Sequence, residues 1–245
     1  MITHPTTGTV LLGLAVIFQL TSLYFAPLIV VQPLGAIALV VTAILNARMT
    51  HVRLHRKVVR AIALCVGGVA IFVTIAAFVA IDTAISDDDL RTILLLLLVV
   101  LVVMGTLYAI YRTHMTPILY IVGAGVLYGF VSTIAKSVIN RLVLGQFDWF
   151  TLLCVVGLLA AGLGGFYLVQ TAYAVGPPDL VIAGLTVVDP IVAVGIGVLV
   201  LGEAANAPWW AGPAFLVAGA IAVFGVLQLS RHHPEVAARE AARAA

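Results

Sequence analysis

Charge is what this sequence has least of. Its 245 residues hold 12 Lys and Arg against 10 Asp and Glu, while 63% of the chain is apolar. A soluble domain carries about a quarter charged residues and about half apolar ones, so a water-soluble fold of this size would leave apolar faces in water. The net charge of +2 is too small to point to a nucleic-acid partner. There are two cysteines, Cys65 and Cys154, both inside apolar runs, where a thiol behaves as a small hydrophobe. A disulfide framework and a metal site are not expected, nor is any cofactor. The six histidines, His4, His51, His55, His114, His232 and His233, fall outside the long apolar runs. Neither a His-Glu-x-x-His site nor a Gly-x-x-x-x-Gly-Lys loop occurs, which argues against an enzyme and against a nucleotide-driven pump.

What the chain does have is long apolar stretches without alternation, such as Ile93 to Ile110 and Val192 to Leu201. Barrel strands would alternate polar and apolar over about ten residues, and a bilayer otherwise admits only helices. A spanning helix needs about 20 apolar residues. On that measure the fold is an all-α integral membrane protein of about eight transmembrane helices, at 8 to 26, 28 to 47, 61 to 81, 92 to 111, 117 to 139, 150 to 173, 180 to 201 and 209 to 229.

Short cytoplasmic loops carry the excess of Lys and Arg. Arg48, Arg53, Arg56, Lys57 and Arg60 share one link, Arg112 stands in another, and Arg231, Arg239 and Arg243 lie in the tail. Simple alternation puts all of them on one side, with Asp82, Asp87, Asp88, Asp89, Asp148 and Glu203 on the other. Both termini are then cytoplasmic and the lipid bilayer of the cytoplasmic membrane is the first partner. Arg91, Lys136 and Arg141 count against this assignment.

Shifting the chain by 150 residues lays Ala26-Pro27 on Gly176-Pro177, and one more residue lays Gly67-Gly68 on Ala218-Gly219. An odd number of spans separates the counterparts, so residues 10 to 75 and 160 to 226 are expected to be three-helix units of opposite orientation. Inverted-topology repeats are a plan of secondary transporters. The chain divides into repeat halves at 1–112 and 113–230, followed by the tail 231–245, which we read as a short solvated helix from residue 234.

The run Tyr24-Phe25-Ala26-Pro27-Leu28-Ile29-Val30-Val31-Gln32-Pro33, the segment Ala172-Tyr173-Ala174-Val175-Gly176-Pro177, the pair Asp189-Pro190 and the triplet Leu201-Gly202-Glu203 together resemble the drug/metabolite transporter superfamily, and in particular its EamA-type permeases. The resemblance implies ten helices in two inverted five-helix halves, with the first two helices absent here, so that the chain looks like a truncated, fragmentary or shorter relative. It implies a permease that moves a small molecule or ion. A homodimer is kept open as the assembly. The Tyr24 to Gly35 run also resembles magnesium-transporter relatives of the same superfamily. A membrane scaffold is the alternative outside transport, and it leaves Asp189 unexplained.

An ionisable group inside a span costs about 2.5 to 3.5 kcal/mol on insertion scales and faces a cavity or a partner. Asp189, midway through its span, is therefore the leading candidate for substrate contact or ion coupling, and we expect it to face a polar cavity between the two units. Gln19, Gln32 and Gln170, which the resemblance places around the central cavity, are further candidates, with Thr42, Asn46 and Thr186. Lys136, one turn from a span end, is expected to snorkel to the interface. Pro27, Pro33, Pro177, Pro178 and Pro190 are candidate hinges. Trp149, Trp209 and Trp210 fit interfacial anchors.

Overall fold

The structure, a computed structural model, describes residues 5–49, 56–81, 85–111, 116–176 and 178–231. The six histidines, Arg53, Asp82, Arg112, Pro177, Arg239, Arg243 and the solvated tail helix expected from residue 234 lie outside the described residues. Within them every regular element is helical: α1 (Pro5–Phe25), α2 (Leu28–Val31), a 3-10 turn (Gln32–Leu34), α3 (Gly35–Met49), α4 (Arg56–Val79), α5 (Asp87–Tyr111), α6 (Pro117–Val143), α7 (Trp149–Val175), α8 (Pro178–Leu199) and α9 (Ala211–Arg231).

Among the described residues, α4 to α9 each contain a stretch long and apolar enough to cross a membrane, which gives six candidate spans; α1 and the α2–α3 region contribute shorter apolar stretches. This is the architecture of a multi-pass membrane protein. The segment expected as one span at 28 to 47 is helical throughout but not uniformly α-helical: α2, the 3-10 turn and α3 follow one another directly, with Pro33 in the turn. Pro27, at φ −59° and ψ 149°, separates this segment from α1.

Capping chemistry sets several helix starts. Ser86 and Asp89 exchange backbone-to-side-chain bonds before α5, a reciprocal box that satisfies two orphan amides. Asp148 accepts from the Thr151 amide at 2.9 Å and starts α7. Pro117 opens α6, where its missing N–H costs nothing.

Helix α6 is the centre of the bundle. Its most apolar 18-residue window is 61% buried, against 11% for α5, the most hydropathic span. The outward faces of α5 are apolar without protein cover, as a lipid-facing helix requires. Glycines set the close contacts. A Cβ at Gly125 would fall 2.6 Å from Val188 Cβ, and one at Gly129 2.7 Å from Val192 Cβ, so α6 and α8 run parallel in one register. On α7, Gly157 meets Ile134 and Gly164 meets Leu127, an antiparallel pairing with α6. Helices α4 and α9 are also antiparallel, since Gly68 approaches Ala222, Cys65 approaches Gly225, and Phe72 packs on Phe215.

Candidate functional site

Hydrogen bonds gather one end of the bundle. The end of α8 turns through Leu201, which is buried, and Gly202, whose φ of +66° suits glycine. That turn folds Glu203 back beneath the helix, where it is fully buried. Its amide donates to the Gly197 carbonyl at 3.0 Å, and its carbonyl accepts from the Ile81 amide at the end of α4 at 2.9 Å. The carboxylate takes three further donors. Oε1 accepts from the Leu28 amide at 2.8 Å and from Lys136 Nζ at 2.9 Å, while Oε2 accepts from the Ile29 amide at 2.9 Å. Glu203 therefore ties α2, α4, α6 and α8 together. A buried charge is tolerable only with such pairing and hydrogen bonding. Gly197 leaves the room, since a Cβ there would stand 2.7 Å from Oε2.

This corrects the snorkelling expectation for Lys136. Its side chain is 5% exposed and is held inside by Glu203. Neither residue's sequence neighbourhood shows the other, because 67 positions separate them.

Further toward the same end, Arg141 donates to Asp87 at 2.7 Å, to the Thr151 hydroxyl at 3.0 Å, and to Asp148. Arg91 pairs with Asp88 at 3.0 Å and lies over the Phe150 ring. The three basic residues that opposed the charge asymmetry thus each sit with an acid. The Thr151 amide, with the Thr151 hydroxyl and Arg141 beside it, holds the Asp148 carboxyl below the usual carboxylate range. Trp149, Trp209 and Trp210 are exposed, at the starts of α7 and α9.

Asp189 is different. It sits near the middle of α8, beside the notch of Gly125, and the Tyr128 hydroxyl of α6 lies within electrostatic reach. Among the described residues, Asp189 Oδ1 and Gln32 Nε2 are the buried side-chain atoms without a hydrogen-bond partner. Such orphans call for an explanation, of which a functional role is one. From the Gly125 notch, Lys136 is eleven residues further along α6, about 16 Å at about 1.5 Å per residue. The cation and Asp189 occupy different levels.

A cleft of about 790 Å³ opens between α2–α3, α4, α8 and α9. Its walls are apolar: Ile29 and Ala36, Val69 and Phe72, Val194, and Phe215 are representative. Thr186, Pro190 and Pro33 line it too. The Thr186 hydroxyl is spent on the Ile182 carbonyl at 2.7 Å, and Pro190 cannot supply the N–H that the Thr186 carbonyl would otherwise receive. Thr186, Pro190 and Val194 recur on one side of α8, and Asp189 projects from the other. The cleft is apolar and Asp189 is not among its lining residues, so it is not the polar cavity expected to receive the acid.

The remaining candidates separate. Gln32 is buried in the 3-10 turn, whereas Gln19 and Gln170 are exposed on α1 and α7 and do not line the cleft. Thr42 and Asn46 belong to α3, and Pro178 is the first residue of α8. No family model, curated protein or solved structure matches the chain.

Proposed function

We propose that this protein is a secondary transporter that moves a small molecule or ion by alternating access, with Asp189 as the coupling or substrate-contacting acid. The observation that carries this reading is a half-buried mid-span carboxylate with one buried oxygen left unpaired. An intramembrane acid that only held helices together would be expected to have its oxygens bonded, as Glu203 does. The antiparallel approach of α4 and α9 supports inverted units, because these are the helices that the repeat pairs as counterparts. The break at Pro27 to Leu34 and the internal Pro190 are the discontinuities that such a plan uses.

On this reading the chain crosses the cytoplasmic membrane about eight times, as an EamA-like member of the drug/metabolite transporters, with both termini cytoplasmic. The end holding Glu203, Arg141 and the exposed tryptophans faces outward. Flux in proteoliposomes tests the function. A panel of metabolites, drug-like amines and divalent cations, magnesium included, is screened for counterflow that depends on the protein. Asp189→Asn then abolishes the flux so found while leaving folded protein in the vesicles. Undiminished flux in Asp189→Asn removes the acid from the mechanism.

A further inference from the structure

The four-residue helix α2 is bounded by an extended proline joint on one side and a proline-containing 3-10 turn on the other. Pro27 separates it from α1 and the 3-10 turn at Pro33 joins it directly to α3, so these are the joints about which it would tilt. Its first two amides have no earlier helical carbonyls to bond, and Glu203 supplies both acceptors. Ile29, held by Oε2, is also a wall of the interunit cleft. The acid itself cannot follow α2, because its main chain is bonded to Gly197 and to Ile81.

We propose that the Glu203 carboxylate, braced by Lys136, is the latch that closes this end of the cleft by holding α2 against α8. Engaged, it keeps Leu28 against Gly197, where a Cβ would stand 3.3 Å from Leu28 Cβ. Released, α2 swings out with Ile29 and the cleft opens toward the Glu203 end. The freed amides of Leu28 and Ile29 must then find water, since bare N–H groups in an apolar setting carry a desolvation penalty. Opening and hydration of this end are consequently one event. The latch rests on the alternating-access reading only for its purpose, and its test needs no transported solute.

The test uses the full chain in lipid vesicles with Cys65→Ala, Cys154→Ala and Val194→Cys, which puts one thiol on the cleft wall. An impermeant thiol reagent is applied to the Glu203 end. With Glu203 intact the thiol reacts slowly. In Glu203→Gln, which loses one acceptor and sets an amide against a donor, the labelling rate rises by about tenfold or more, as loss of a charge-assisted hydrogen bond dictates. Equal rates in two folded proteins overturn the latch, whatever the flux assay gives. Should Glu203→Gln not fold, hydrogen exchange on the unaltered chain decides. The latch requires the Leu28 and Ile29 amides to exchange faster than those in the middle of α4 and α8, and exchange only through global unfolding refutes it.

Discussion

The Glu203 end and the Asp189 level hold the same functional group in opposite states. At one, the carboxylate receives two backbone amides and a lysine. At the other, one buried oxygen has no hydrogen-bond partner. The difference separates an acid that the fold needs from an acid that the fold merely tolerates. The first should be sensitive to any loss of a partner, and the second should be dispensable for stability.

Lys136→Met gives the largest effect. It strands a buried charge and destabilises the protein by about 3 to 5 kcal/mol, seen as an early melt in detergent. The double exchange Lys136→Glu with Glu203→Lys sharpens the point. An ammonium at 203 cannot accept from Leu28 and Ile29, so the exchange does not restore stability; full recovery would mean that the ion pair alone matters. Next comes Gly202→Ala, which forces a side chain into the left-handed region that turns Glu203 inward. It costs about 1 to 2 kcal/mol, measured by the same melts. Asp189→Asn, by contrast, changes stability by about 1 kcal/mol or less, since no bond to the lost charge exists. A collapse of the melt in this variant would make the two acids alike.

The smallest effect belongs to the exposed Asp148, which serves as the control. Its folded pKa is lowered, so its contribution is complete above the ordinary carboxylate value of about 3.9 and is lost as pH falls through the folded value. The melting difference between the parent and Asp148→Asn should shrink on acidification below about pH 4. A difference that persists unchanged there would show that charge plays no part in the cap.

Much of the scaffold was legible in hydropathy. The spans of α4 to α9 fall within a few residues of the apolar runs, because burial of backbone polar groups in lipid leaves helices as the only solution for such sequences. The joint at Pro27 and the hinge at Pro33 were legible from the prolines, whereas hydropathy alone marks no interruption between Phe25 and Gly35. Every residue there except Gln32 and the prolines is apolar or nearly so, and hydropathy does not register a missing N–H. The pairing of Lys136 was missed for another reason. Its partner comes from a distant part of the chain, and span alternation alone places Glu203 on the right side without giving its depth. A usable signal did exist: a lysine inside a span end needs an acid at its level, and Leu201-Gly202-Glu203 offered one fixed by a glycine turn. For Asp189 the residue was picked out by its cost, but its direction depended on which side of α8 meets the Gly125 and Gly129 notches.

Those notches have a mechanical consequence. Val188 and Val192 sit in Gly125 and Gly129 like teeth in a rack, spaced by four residues or about 6 Å. Sliding by less than that step would drive each valine against a side chain, so α6 and α8 are geared to travel as a single lever. One end of the lever is gripped at Lys136 and Glu203. Asp189 rides on the same arm about 16 Å away, so any tilt of the α6 and α8 pair moves the grip and the acid together.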